Sequence, residues 1–334
     1  MGIDGLLIAD KPEGLSSLAV VKEVKRRLHV KKAGHIGTLD PFATGVLPIV
    51  INEGTKLVPF LREEPKEYVA ILRLGEETST DDLTGKVLFK KTWEGITAEM
   101  IHEAFQTFLG KIQQIPPMFS AIKIQGTPLY RLARKGIEVE RKEREVEIYG
   151  IQIEQIILPQ VRFNVSCSKG TYIRTLGRDV GRKLGCGAHL IYLRRIRCGP
   201  FTINRAIPWK SLTDLSETQD LCSWLISMKE ALHSLPEVMG DEHLIRMVRH
   251  GKKIAIRDLS AHPLPPFEKG EWLKMSSPKE GVVAILKSEV KDTEIQVAGP
   301  EVVAFRPLRV FQPLPSPLPP LGKREGEEKE NLLA

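Results

Sequence analysis

The chain has 334 residues, 42% of them hydrophobic and 27% charged, ordinary globular proportions that exclude a fully disordered or fibrous protein. At roughly 150 residues per domain this length suggests about two domains, and apolar runs as short as Leu6–Ala9 and Val46–Ile51 fall far below the roughly 20 residues that cross a bilayer. The formal charge of +7 is localised, because residues 161–200 alone hold nine basic residues against the single acid Asp179.

The amino terminus, Met1-Gly2-Ile3-Asp4-Gly5, has neither the charged start nor the long apolar core of a signal peptide. It carries Leu6 where a myristoylation signal needs Ser or Thr. Cys167, Cys186, Cys198 and Cys222 form no C-x-x-C pair, so reduced cysteines and a cytoplasmic location are expected. Gly5 to Asp10 reads as a strand, and Lys11-Pro12-Glu13-Gly14 as a turn. A helix follows, capped by Ser16 or Ser17, with Val20, Val21, Val24 and Leu28 on its apolar face. A second basic cluster, Lys22, Lys25, Arg26, Arg27, Lys31 and Lys32, is opposed only by Glu23.

The stretch from Gly34 to Pro48 surrounds one imidazole and one carboxylate with three glycines and two prolines, a composition for a tight loop that approaches a ligand closely. Taken singly, Asp40 before Pro41 is a turn former and His35 a structural histidine. Tyr68 to Leu74 alternates as a strand. Thr97 to Leu109 reads as a helix stopped at Gly110, and Gln113 to Gly136, with a basic helix from Leu129 to Lys135, as a mobile insertion over a site. Arg144 to Ile157 and Val161 to Ser168 form a strand pair.

Next comes a helix whose apolar stripe is Ile173, Leu176, Val180 and Leu184. Arg174, Arg178 and Arg182 recur four apart beside that stripe without an acid at i+4, an arginine row suited to phosphate oxygens. His189 to Ile196 is a further strand. Beyond about residue 236, strand-like pieces at Lys253–Ile256, Gly281–Lys287 and Glu294–Ala298 suggest a small β domain. Residues 313–334, with five prolines and four glutamates, read as a disordered tail.

No phosphate-binding, dinucleotide, zincin or nucleophile-elbow motif occurs, and the eight histidines are scattered singly, so no cofactor and no metal are expected. The basic segments point to a polyanion, with nucleic acid the natural partner. Whatever chemistry occurs must use ordinary side chains.

Six motifs in order narrow this reading. They are Lys11-Pro12-x-Gly14-x-Ser16-Ser17; Gly34-His35-x-Gly37-Thr38-Leu39-Asp40-Pro41 running on to Pro48; Lys66-x-Tyr68; Gly75-x-x-Thr78-x-Thr80-x-Asp82-x-x-Gly85; Cys167-Ser168-Lys169-Gly170-Thr171-Tyr172-Ile173-Arg174; and Gly187-Ala188-His189-Leu190-x-x-Leu193-Arg194-Arg195. Together they resemble the bacterial TruB-type tRNA pseudouridine-55 synthases over residues 3 to about 210. The resemblance implies an α+β pseudouridine synthase catalytic fold, with a mixed, largely antiparallel sheet flanked by helices. It implies domains at 1–235, with an RNA-clamping insertion at 113–144, and at 236–312, a small PUA-like RNA-binding β domain.

The resemblance also assigns roles. Asp40 is the nucleophile or base that starts glycosidic cleavage, Arg174 pairs with it, and Tyr68 stacks on the target base and could assist proton removal at C5. Leu193 packs beneath the base, His35 sits where flipped nucleotides leave the stack, and Lys11 and Pro12 brace the catalytic loop. Asp82, Tyr172, Arg178 and Arg182 complete the substrate-binding set. The partner is then the T arm of tRNA, from which one nucleotide must be extracted, and a monomer without obligate protein partner or membrane is expected. A second reading on the same fold is a dyskerin-like subunit that needs guide RNA, though its extensions are usually lysine-rich. A third is an RNA-binding or tRNA-folding protein without catalysis, against which Asp40, Tyr68 and Arg174 together argue.

Overall fold

The computed structural model describes residues 3–214, 223–259 and 262–312; the expected disordered tail and Cys222 lie outside them. One compact unit spans Gly5–Leu232, and a second is built from residues 3–4 and those from His233 onward.

The first unit opens with β1 (Gly5–Lys11), α1 (Ser17–Arg27), β2 (Ala33–His35), β3 (Thr44–Ile51) and β4 (Lys66–Leu74). Ser16 caps α1 by accepting a hydrogen bond from the Ala19 amide, which satisfies one of the donors a helix start leaves open. In β4 the even positions Lys66, Tyr68, Ala70, Leu72 and Leu74 are buried, the period-two pattern of a sheet with one face on the core. β3 is buried continuously from Gly45 to Ile51, because it runs between β1 and a later central strand.

A hairpin of β5 (Glu76–Thr78) and β6 (Val87–Lys90) follows, then α2 (Ala98–Gln106), capped by Thr97, and β7 (Gly110–Gln114). The insertion holds a small hairpin, β8 (Lys123–Ile124) with β9 (Thr127–Pro128), and α3 (Leu129–Arg134). The long pair β10 (Arg144–Ile157) and β11 (Gln160–Cys167) leads into α4 (Ile173–Lys183), β12 (Ala188–Cys198), β13 (Phe201–Thr202) and β14 (Ile207–Pro208). The resulting ten-stranded sheet has the order β14-β1-β3-β12-β4-β11-β10-β7, with β2 on β3 and β13 on β12. Only the β1–β14 and β3–β12 pairs are parallel, so the sheet is mixed and largely antiparallel, as expected.

Two glycines seat α4. A Cβ at Gly181 would lie 2.3 Å from the Ala188 amide nitrogen, and one at Gly177 2.9 Å from Leu72. Glycine there lets the helix backbone lie directly on β4 and β12. This close approach delivers Arg174, in the first turn, to the end of the sheet where the Asp40 loop lies.

In the second unit a five-stranded sheet runs Glu237–Met239, Trp272–Ser277, Gly281–Ser288, Val303–Val310, Ile254–Ala255. It closes around Val238, Leu244, Leu273, Phe267 and Phe305. Two expectations need correcting. Glu294–Ala298 is no strand, since the Val297 and Ala298 amides both turn back to the Glu294 carbonyl. A helix that the β reading did not include, Glu242–Arg249, is capped by the Asp241 carboxylate and buries Leu244, Ile245 and Val248. No described helix is long and apolar enough to cross a membrane.

Candidate active site

Asp40 sits in the turn between β2 and β3, closed by the Ala43 amide on the Asp40 carbonyl at 3.1 Å. Three anchors fix that turn. The buried Ser17 hydroxyl donates to the Leu39 carbonyl at 3.0 Å and accepts from the Leu39 amide at 2.9 Å. The Gly14 amide donates to the Pro41 carbonyl at 2.8 Å. The fully buried Lys11 ammonium donates to the carbonyls of Pro12 at 2.8 Å and Pro41 at 3.0 Å.

Burial pushes the Lys11 ammonium down to about 8, against the opposing charges of Asp40 and Glu13. The folded state therefore gives up this proton before the unfolded chain does, and the cost of burying the charge is relieved as pH rises from 8 toward 10.5. Between those limits the stability of the wild type relative to Lys11→Met should increase, by about 3 kcal/mol. Urea unfolding of both proteins across that range checks the sign; a difference, wild type minus Lys11→Met, that stays flat or falls with rising pH contradicts it.

Arg174 is 2% exposed, and each of its three nitrogens is committed. Nε donates to Asp40 Oδ2 at 2.7 Å, Nη1 to the Thr80 carbonyl at 2.7 Å, and Nη2 to the Phe119 carbonyl at 2.8 Å. Asp82 Oδ2 lies 3.7 Å from Nε. The other Asp82 oxygen accepts from the Thr80 hydroxyl, the Thr84 hydroxyl and the Thr84 amide at 2.6 to 2.9 Å. A buried guanidinium is thus balanced by two carboxylates and aimed at one, which is how a buried charge becomes tolerable.

Beside this ion pair opens a pocket of about 320 Å³, lined by Thr38, Asp40, Lys66, Tyr68, Tyr172, Arg174 and Leu193, with Ser120 to Ile122 of the insertion as one wall. That volume lies in the range of small-ligand sites. Leu193 on β12 stands in register with Ala70 on β4, so it and Tyr68 furnish an aromatic and an aliphatic wall for a flat ring. Burial drives the Tyr68 phenol well above its ordinary range, opposed by the positive charge of Arg195, and it stays protonated at neutral pH. Tyr172 is also pushed upward by burial; its amide and carbonyl are both held by the buried Gln114 side chain, at 3.1 and 3.3 Å.

His35 lies outside this lining. Its Nε2 meets the Thr38 hydroxyl at 3.1 Å, and burial together with the Arg195 charge pushes its pKa down, favouring neutral imidazole.

The arginine row on α4 is not the open stripe its spacing suggested. Arg174 turns into the pocket, whereas Arg178 is mostly buried, pairing with Asp179 at 2.9 Å and Asp81 at 3.3 Å. Arg182 keeps a 58% exposed side chain but is bidentate on Glu77. Two of these acids, Asp81 and Glu77, come from about a hundred residues away in sequence; the third, Asp179, is the next residue along the helix. Lys66, Gln114 and Arg195 were given no role by sequence, although Lys66 and Arg195 stood inside quoted motifs; Gln114 carried no signal. Among the described residues no cluster of three or more His, Cys, Asp or Glu side chains could hold a metal ion, and Cys167, Cys186 and Cys198 are buried free thiols.

Residues 25–173 match the family described as TruB family pseudouridylate synthase (N terminal domain), and residues 174–233 match the tRNA pseudouridylate synthase B C-terminal domain. The chain is 50% identical over 237 residues to tRNA pseudouridine synthase B of Geobacter sulfurreducens, covering 70% of this chain and 78% of the relative. With the protein of the same name from Syntrophus aciditrophicus it shares 42% identity over 309 residues, 92% of this chain and 99% of the other. Among solved structures it resembles a Cbf5-Nop10-Gar1 complex, with 29% identity and a TM-score of 0.67 over 92% of this chain and 85% of that one.

Proposed function

The chain belongs to the TruB family of pseudouridylate synthases, and from that premise we propose that the Asp40 pocket converts uridine to pseudouridine at position 55, in the T arm of tRNA. It is an RNA-modifying isomerase whose substrate is tRNA, as the named relatives are. The observation that carries the assignment of the pocket is the carboxylate of Asp40, held at 2.7 Å by a buried arginine at the edge of a slot walled by Tyr68 and Leu193.

A uridine inside the folded T arm cannot present its glycosidic bond, so the nucleotide must leave the stack. Tyr68 and Leu193 then take over the stacking contacts it loses. With the base in the slot, Asp40 acts on the sugar as nucleophile or base and the N1–C1′ bond breaks. The uracil turns, C5 bonds to C1′, the C5 proton leaves and N1 gains one. Atoms balance without oxidant, reductant or water. Lys11 keeps the loop in place, and the insertion 113–144 clamps the RNA, with Lys123, Arg131, Arg134 and Lys135 as its cations. Residues 236–312 form a PUA-like domain that adds affinity for RNA. The enzyme works in the cytoplasm as a monomer without obligate protein partner.

The decisive assay is purified protein alone with prefolded, unmodified tRNA transcript in excess EDTA, scored for pseudouridine at each position. Formation at position 55 is the expected result. Dependence on a transition metal contradicts the metal-free mechanism, and dependence on guide RNA or added proteins favours the reading closest to the Cbf5-containing complex.

A further inference from the structure

Among the described residues Arg195 is the largest side chain with essentially no exposure, at 0%. It lies on β12 directly opposite Tyr68 of β4 and Gly45 of β3. Its neighbour Arg194 points to the other face of the sheet, as successive strand residues do, and finds Asp10 at 2.7 Å. Arg195 has no such partner: among the described residues no carboxylate lies within ion-pairing distance. Instead Nε donates to the Val46 carbonyl at 2.8 Å and Nη2 to the Gly37 carbonyl at 2.8 Å. These carbonyls stand on either side of the loop that carries Asp40. The third nitrogen, Nη1, is buried without a well-formed hydrogen bond of its own, and the Arg195 guanidinium acts on the Tyr68 hydroxyl through both its charge and a side-chain hydrogen bond.

The backbone around this guanidinium is shaped to admit it. Gly37 has φ of +65°, and a Cβ there would come within 3.1 Å of both Arg195 Nη1 and the Lys66 ammonium. Gly45 has φ of +101°, and its Cβ would lie 2.1 Å from the Arg195 backbone carbonyl, so it admits the β12 backbone rather than the guanidinium. An unpaired buried charge is costly, and packing alone would be served by an apolar chain of the same length. Such groups concentrate where a fold orients reacting atoms.

We propose that Arg195 is a positioning residue for the isomerisation: its guanidinium clamps both ends of the Asp40 loop onto the strand opposite Tyr68, holding the carboxylate and the phenol in one fixed relation. The inference rests on the assignment of Asp40 and Tyr68 to the reacting site. It also accounts for the fork geometry, since the planar guanidinium meets the two carbonyls from two different nitrogens held at a fixed separation, Nε and Nη2, whereas a lysine presents a single nitrogen.

The test compares wild type, Arg195→Lys and Val161→Ala, a core control elsewhere in the sheet, by thermal unfolding, tRNA affinity and single-turnover rate at saturating enzyme. Arg195→Lys should keep its affinity within about threefold while its rate falls at least about 30-fold, because misplacing reacting groups by an ångström costs on the order of a hundredfold. The control should keep its rate. A wild-type rate in Arg195→Lys, or a loss matched by the control, overturns the proposal. If Arg195→Lys does not fold, Gly37→Ala serves, since its methyl presses on Nη1: a slow rate at unchanged affinity supports the clamp, and a wild-type rate overturns it. Asp40→Asn run alongside separates the two claims. An inactive Asp40→Asn with a fully active Arg195→Lys refutes the clamp only, whereas an active Asp40→Asn refutes the site itself.

Discussion

Asp40→Asn protein is expected to bind unmodified tRNA with near wild-type affinity and to form no detectable pseudouridine. Asparagine keeps the shape of the side chain and an oxygen that can accept from Arg174 Nε, now at 2.7 Å from the carboxylate. The turn is held independently, by Ser17, Gly14 and Lys11, so the fold should lose only about 1 kcal/mol, the net value of one hydrogen bond weakened by loss of charge. What disappears is the anionic oxygen, and with it both chemical roles open to Asp40. Affinity should persist because it comes from cationic surface and base stacking, and removing a negative charge beside phosphates cannot weaken their attraction. Binding and single-turnover isomerisation measured on the same folded protein decide the matter. Substantial residual turnover would remove Asp40 from its role, and loss of binding together with turnover would make the loop a docking element.

The parts of this site that were legible in the sequence are those whose chemistry is local. The glycine- and proline-rich loop around Asp40 announced a close approach, whereas Tyr68, Arg174 and Leu193 were brought to it only by the family resemblance. The structure places all four on one pocket. The strands β4, β10, β11 and β12 were read to within two residues, and β4 and β11 show the period-two burial of a strand with one face on the core. Ion pairing across the chain was not legible. The spacing of Arg178 and Arg182 described where they stand on α4 correctly, but Asp81 and Glu77, which neutralise them, arrive through the β5 turn. Arg195 sat within a basic run that read as surface charge. Only its register against Tyr68 and Gly45 shows it to be interior. Gln114, which holds both backbone groups of Tyr172, is a long-range contact with no local pattern.

Arg174→Leu should cost both stability and nearly all activity, in contrast to Asp40→Asn, whose loss should fall almost entirely on activity. Arg174 is enclosed at 2% exposure between Asp40 and the equally buried Asp82. Removing it leaves the Asp82 carboxylate without its cation and frees the Thr80 and Phe119 carbonyls. Breaking a buried pair from one side typically costs about 3–5 kcal/mol. Activity should fall at least about 100-fold beyond any loss of folded protein, since the carboxylate is no longer aimed. Arg174→Lys separates the two effects: it restores a charge for Asp82 but cannot reproduce a planar fork on three acceptors, so it should recover stability more than rate. Thermal unfolding and single-turnover kinetics on both variants test this, and a Leu variant with wild-type rate would show that Asp40 needs no partner. Arg178→Ala marks the boundary of the catalytic set. Asp81 is already pushed upward by burial, with Arg178 the first charge opposing that push, so the variant should lose stability at neutral pH and regain it as pH falls and Asp81 takes up a proton. Its single-turnover rate, measured on folded protein, should stay far closer to wild type than that of either Arg174 variant, because Arg178 is no part of the pocket lining.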